Sequence, residues 1–382
     1  MDTLTSKDLI NLIRSAFPPL PDDRNLGILV DLPHSEENDN RDWKERRHLA
    51  EEWFHHLQGC PEQLKLEGIQ LIAYPDVGSN NADLPSSAVS IEKTLPSSWQ
   101  KLEDQGSSIQ FNTIFEKTQI FLALTEYSTT APLKNAAVHY GFRAATMPGF
   151  SKKMIPALKI DYTLVSQRVN AIKEKLDLAS GCDVCFIVKD QKEYKIHFDI
   201  RHRKAHASSG RFPEKGTAGN LPSGEAYIVP YEGEKDEQSR TEGILPVQEK
   251  DDLILFTIQE NRAVRVEGEG TSVELENDRL DREPAYGNMA ELGFGVLEEF
   301  GVDPIGEILL DEKLGFHVAF GRSDHFGGTV GPDDFSSPKE VIHLDQIYIP
   351  ATQPDVTVKS LALIYGEGQS ETIMKNGKYT IF

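Results

Sequence analysis

Cysteine is scarce: Cys60, Cys182 and Cys185 are the only three in 382 residues. That excludes a disulfide-stapled secreted fold and suits a reducing compartment. No apolar run approaches the roughly 20 residues that span a bilayer, so no membrane is expected as a partner. Residues 1–8 are mostly polar and carry acids, without the basic start and apolar run of a secretory signal. A soluble, cytoplasmic protein is the expectation. Positive charge is also in deficit, with 40 Lys and Arg against 61 Asp and Glu and a formal net charge of -21. The densest basic cluster is Arg201, Arg203 and Lys204, too little to hold a phosphate backbone against that field, so nucleic acid is excluded. No Gly-x-Ser-x-Gly elbow is present, and Ser336 and Ser337 sit in a Pro/Asp turn without a paired base, which leaves serine hydrolase chemistry little support.

What is present is enough apolar material for a core, 38% of residues, with aromatics along the whole length. The length exceeds what one core usually serves, so two lobes are expected. In the first, 26–32 and 70–74 read as strands. Between them 42–57 spaces Trp43, Leu49, Trp53, Phe54 and Leu57 for one helical face, with Lys44, Glu45, Arg46, Arg47, Glu51 and Glu52 mostly toward water. Another apolar strand at 118–125 leads to a helix from about Pro132 to before Gly141, for which Ser128, Thr129 and Thr130 offer capping oxygens. That junction lacks a glycine-rich phosphate loop. After the break at Pro148-Gly149 and an amphipathic helix at 162–178, the texture turns to strands at 183–188, 194–200, 226–229, 253–258 and 263–266. Residues 232–242 are charged and lack large apolar residues, as an exposed loop would be. The fold class expected is α/β plus α+β, an N-terminal α/β lobe (1–155) followed by a β-rich metal-binding lobe (156–382).

Several constellations can be set aside. Cys182-Asp-Val-Cys185 has metal-like spacing but no second pair nearby. His197, His202 and His206 are interleaved with Arg201, Arg203 and Lys204, which oppose a cation, so a polar loop or strand edge fits them better. The region 286–350 differs. The alternation in Ile342-His343-Leu344-Asp345-Gln346-Ile347 is that of a strand and puts His343 and Asp345 on one face. Upstream, Glu312 and His317 are five positions apart and need a turn or bulge to meet, which Gly315 permits. His317 opens an apolar run, where a buried imidazole needs a carboxylate, a metal or a backbone partner. Glu225 and Glu291 also lie in apolar or glycine-rich settings. Should both converge on His317, His343 and Asp345, the set would suit a pair of divalent ions.

These residues resemble the thermophilic aminopeptidases typified by aminopeptidases T and S. The resemblance runs from about 143 to 345, in the pieces Arg143-Ala-Ala-Thr-Met-Pro-Gly-Phe150, Asn220-Leu-Pro-Ser-Gly-Glu225, Ala290-Glu-Leu-Gly293, Asp311-Glu312, His317-Val-Ala-Phe-Gly321 and His343-Leu-Asp345. It implies Glu225, Glu291, Glu312, His317, His343 and Asp345 as ligands of two divalent metal ions, Zn, Co or Mn. It further implies hydrolysis of short peptides from their free N-terminus, in a homodimer or higher homo-oligomer with an enclosed site. Glu225 and Glu312 are the two candidates for general base, since a base must lie within hydrogen-bond reach of the attacking water, and the sequence does not choose between them. A functional tyrosine is expected seven residues after His317, where this chain has Asp324 followed by His325. Asp324 and His325 are the candidates to serve the reaction in its place, His325 as a donor or as part of the metal shell; the alternative is that both only line a loop. The departure also resembles the dihydroxypyridine dioxygenases, which hold one Fe with two His and one Asp; His317, His343 and Asp345 match that triad. A third possibility is a metal-binding homologue that has lost turnover.

Overall fold

In a computed structural model the described residues are 3–102, 108–189 and 191–382. They form two units, Met1–Ser166 with Gly210–Ser223, and Gln167–Ser209 with Gly224–Phe382. The chain thus crosses between units three times rather than at one boundary after residue 155. The return of 210–223 to the first unit follows from its strand Thr217–Asn220, which pairs in parallel with Arg143–Pro148.

The first unit is built on a seven-stranded sheet. From one edge its strands are Thr217–Asn220, Arg143–Pro148, Ile120–Thr125, Asn25–Leu32, Gly68–Pro75, Ser87–Ile91 and Ser108–Gln110. The first five run parallel and the last two pair antiparallel. Ile120–Thr125 is buried at every position, the pattern of a parallel strand covered on both faces. The helix Arg41–Gln58 buries the expected Trp43, Leu49, Trp53, Phe54 and Leu57. Two of its charges do not face water as the sequence suggested. Arg46 and Arg47 are buried, Arg46 against Glu126 at 2.6 Å and Arg47 in a two-pronged pair with Asp39 at 2.9 and 2.6 Å. Paired carboxylates make that burial tolerable. The helix Thr130–Tyr140 starts two residues before Pro132, and its N-cap Thr129 makes no side-chain cap bond. Ser128 Oγ accepts from Thr130 N, but the Ala131 amide is capped by Asn81 from a remote loop.

The second unit is β-rich, as expected. An eight-stranded antiparallel sheet has the order Arg262–Gly268, Asp252–Gln259, Glu242–Glu249, Glu193–Asp199, Gly181–Val188, Val356–Ile364, Ser370–Lys375, Lys378–Tyr379. A five-stranded antiparallel sheet packs against it. Its strands in chain order are β1 (His206–Ser208), β2 (Glu225–Ile228), β3 (Met289–Gly295), β4 (Phe316–Gly321) and β5 (His343–Ile347), each beside the next. Phe320 of β4 meets Phe256 with ring centroids 4.8 Å apart, and Tyr348 beyond β5 meets Phe186 at 4.7 Å. The even-numbered side chains of β4 therefore fill the core between the sheets. Its odd-numbered ones, His317 included, occupy the other face.

Cys182 and Cys185 lie three apart on one strand and so point to opposite sides, which rules out a shared ion. His197 pairs with Asp183 on that sheet, while His206 lies on the edge strand β1. Among the described residues no helix is long and apolar enough to cross a membrane.

Candidate metal centre

Antiparallel register assembles one face from residues far apart in the chain. Glu225 is opposite Gly295, and Tyr227 is opposite Gly293, which is in turn opposite His317. Glu291 is opposite Ala319, itself opposite Asp345, and Gly321 is opposite His343. Directly opposed residues share a face, so Glu225, Glu291, His317, His343 and Asp345 converge. The glycines and alanine between them leave the room.

Two overlapping groups result, Glu225, Glu291 and His317, and Glu291, His343 and Asp345, each with its ligand atoms within 4.8 Å of one another. Glu291 belongs to both. Its Oε1 is 3.7 Å from His317 Nε2 and its Oε2 is 3.2 Å from His343 Nε2. Glu225 Oε2 is 3.6 Å from His317 Nε2, and Asp345 Oδ1 is 3.6 Å from His343 Nε2. Metal–ligand bonds of about 2.0–2.2 Å place neighbouring ligand atoms at such separations. The rings are turned for this role as well. His317 Nδ1 lies 3.2 Å from the Gly315 carbonyl and His343 Nδ1 lies 2.8 Å from that of Arg322. An N–H donated there leaves each Nε2 lone pair for an ion. Glu225 Oε2 is buried and has no hydrogen-bond partner, the state of an oxygen that lacks a cation. By these tests the residues fit a divalent metal.

Glu312 joins neither group among the described residues. It lies in the turn Glu312–Leu314 and is ion-paired to Lys313. Gly315 is extended there, so it supplies room beside Ile349 rather than a special backbone angle. Lys313 is a residue that sequence reasoning missed. Its buried Nζ is 2.5 Å from Glu225 Oε1 as well as bonded to Glu312. A lysine directly after Asp311 and Glu312, with apolar residues on both sides of that charged triplet, was the available signal.

Burial pushes Glu225 up to about 7, against the pull of the Lys313 ammonium. Burial would likewise raise Glu291, but hydrogen bonds from His317 and His343 outweigh it and hold the carboxyl down. Burial works to lower both imidazoles, yet the surrounding carboxylates raise His317 to about 9 and His343 to about 11. Without metal, protons on the histidines neutralise the acids.

Asp324 is ion-paired to Arg322 at 2.5 Å, and His325 lies 3.4 Å from Asp324 with its ring centroid 5.3 Å from that of His343. Burial and the neighbouring His343 and Arg322 cations hold His325 below its ordinary value. Neither belongs to a ligand group among the described residues. The loop carrying them is fastened by Glu232, which the sequence assigned to an exposed loop. Its carboxylate is buried instead and accepts from Ser323 Oγ at 2.5 Å, Thr329 N at 2.5 Å, Asn288 Nδ2 at 2.9 Å and Arg203 at 3.1 Å. Neutral and cationic donors together make that burial favourable. His317, His343 and Asp345, the set for a single iron, do not form a compact group among the described residues, because His317 is turned toward Glu225 and Glu291.

No family model matches the chain. No match is found among curated proteins. Two solved structures share its fold over nearly their whole length. One is a 2,5-dihydroxypyridine dioxygenase from Pseudomonas putida, 13% identical, with a TM-score of 0.57, covering 99% of this chain and 97% of that one. The other is wild-type AmpT, an aminopeptidase T, from Thermus thermophilus, 12% identical, with a TM-score of 0.55, covering 98% of each chain. At these identities the likeness is one of fold.

Proposed function

We propose that this protein is a metal-dependent aminopeptidase acting on short peptides. The observation that carries the reading is Glu291, whose two oxygens face two different imidazoles and so divide between two ligand groups. A single-iron centre of the two-histidine, one-aspartate kind has no use for that division, nor for Glu225. Of the two fold neighbours, AmpT is therefore the nearer guide to chemistry.

When bound, two divalent ions would polarise the scissile carbonyl and make a water acidic enough to attack it. Glu225, Glu291 and His317 would hold one ion, and Glu291, His343 and Asp345 the other. Glu312, outside both groups, takes the role of general base. It accepts a proton from the water as the water oxygen adds to the carbonyl carbon. It returns that proton to the amine nitrogen as the C–N bond breaks, and the second proton of the water passes from the new carboxyl group to the released amine, yielding a carboxylate and an ammonium. Lys313 holds Glu312 beside the ligands. His325, next to His343 and held below the ordinary imidazole value by burial, follows the position of the missing tyrosine and can share a hydrogen bond with substrate. A homo-oligomer belongs to the same reading and is checked by light scattering.

The test is metal content per chain together with hydrolysis of short peptides. About two ions per chain and N-terminal release are expected. A single iron, indifferent to Glu225→Ala, with oxygen uptake on a hydroxylated pyridine would replace this reading with the dioxygenase one. Tight metal binding without hydrolysis across a broad peptide panel would mean that turnover has been lost.

A further inference from the structure

Lys313 poses a problem for any account that treats the two ligand groups as equal. Its side chain is 5% exposed, and its ammonium lies between Glu225 and Glu312. The position is not adjustable at little cost. The preceding Asp311 carboxylate accepts from the Ile305 and Gly306 amides, each at 2.9 Å, and so fixes the start of the turn. On the other side a Cβ at Gly295 would lie 2.6 Å from the Glu312 carbonyl oxygen and 2.3 Å from the Lys313 carbonyl carbon, so the turn is pressed onto β3. A buried ammonium needs its counter-charges, and the carboxylates need a cation.

Charge then separates the two groups. With neutral histidines, the carboxylates of Glu225, Glu291, Glu312 and Asp345 against one ammonium leave the centre three charges negative. One divalent ion leaves a single negative charge, and a second reverses the sign. Repulsion from the ammonium falls most heavily on the group that uses Glu225, because Lys313 Nζ is 2.5 Å from one oxygen of the carboxylate whose other oxygen faces His317. The group of Glu291, His343 and Asp345 shares no residue bonded to Lys313.

We infer that Lys313 is a built-in cation that makes the two ion sites unequal. The Glu291–His343–Asp345 site fills first and holds its ion, and the Glu225–Glu291–His317 site takes a weak, exchangeable one. Lys313 is thus a positioning residue. It keeps Glu225 and Glu312 in place while the weak site is empty and sets how much free metal the protein needs to be fully loaded. This inference rests on the metal-binding reading above.

The experiment is titration of metal-depleted full-length protein with manganous ion, followed by calorimetry and by the resonance signal of free manganese. The wild-type chain should bind one ion tightly and a second at least about tenfold more weakly. Lys313→Met should tighten the second by about tenfold or more while the first changes little. Lys313→Arg, which keeps the charge, should leave the second site weak. Retention of the tight site in each variant reports an intact fold. Two equally tight ions in the wild type, an unmoved second site in Lys313→Met, or loss of both sites there would overturn the role of Lys313 and leave the metal reading standing. No ion bound by the wild-type chain would instead refute the metal reading itself.

Discussion

The imidazole of His317 lies directly across Gly293 on the neighbouring strand: a Cβ on Gly293 would sit 1.8 Å from His317 Nε2, closer than any non-bonded contact. Gly293 therefore does not serve an unusual backbone angle. It leaves the space in which His317 can reach Glu225 and Glu291. Gly293→Ala should move the ring off its ligand group, with a metal affinity loss of about 10–100-fold at that site and an overpacking cost of about 1–3 kcal/mol. Calorimetric metal titration and thermal unfolding check both; unchanged affinity would mean the ring is not where the ion binds.

His343 and Asp345 test the other group. His343→Ala or Asp345→Ala should each remove about one ion per chain and abolish peptide hydrolysis, with far-ultraviolet circular dichroism unchanged. Peptidase turnover retained in either variant would end the aminopeptidase reading.

Proton linkage gives an opposite pH response with and without metal. In the metal-free protein His317 and His343 are raised to about 9 and about 11. Each contributes stability that is complete below the ordinary imidazole value of about 6.5 and is lost as pH rises through the folded values. Glu225, raised to about 7, acts in the same direction from about pH 4.5 upward. The melting temperature of the metal-free protein should therefore fall from neutral pH to pH 10. Metal needs the histidines unprotonated, so its affinity should rise over the same range, with about two protons released per chain at pH 7. Calorimetry in buffers of different ionisation enthalpy measures that release.

In the first unit Arg143 and Asp23 form a buried pair at 2.7 Å, and Arg143 also donates to the Pro18 and Phe212 carbonyls at 2.8 and 3.0 Å. Asp23→Ala would leave a buried guanidinium short of its counter-charge and should cost about 3–5 kcal/mol. Urea unfolding measures it, and the metal stoichiometry of the folded fraction should not change.

Much of this was legible in the amino-acid order. The apolar runs and helix spacing marked the three central strands of the first sheet and the helices Arg41–Gln58 and Thr130–Tyr140, but not the outer strands such as Arg143–Pro148 and Ser87–Ile91. The alternation about His343 and Asp345 correctly placed both on one face. The side chains that failed were those whose partners lie elsewhere in the chain. Arg46 and Arg47 look like solvent charges until Glu126 and Asp39 are beside them. Glu232 sits in a charged run, yet its bonds to Asn288, Ser323 and Thr329 bury it.

The sequence by itself determined two lobes of different texture, a strongly acidic chain poor in cysteine, and a set of carboxylates and histidines in apolar surroundings. Those follow from composition and from periods of 2 and 3.6 residues, which are local properties. Only the tertiary structure decided that Glu291 offers one oxygen to each histidine, that Gly293 makes room for His317, and that Lys313 reaches Glu225 across 88 residues of chain. Sheet register sets the distances among Glu291, His317 and His343, and a slip of one residue on a strand would turn its ligand to the opposite face.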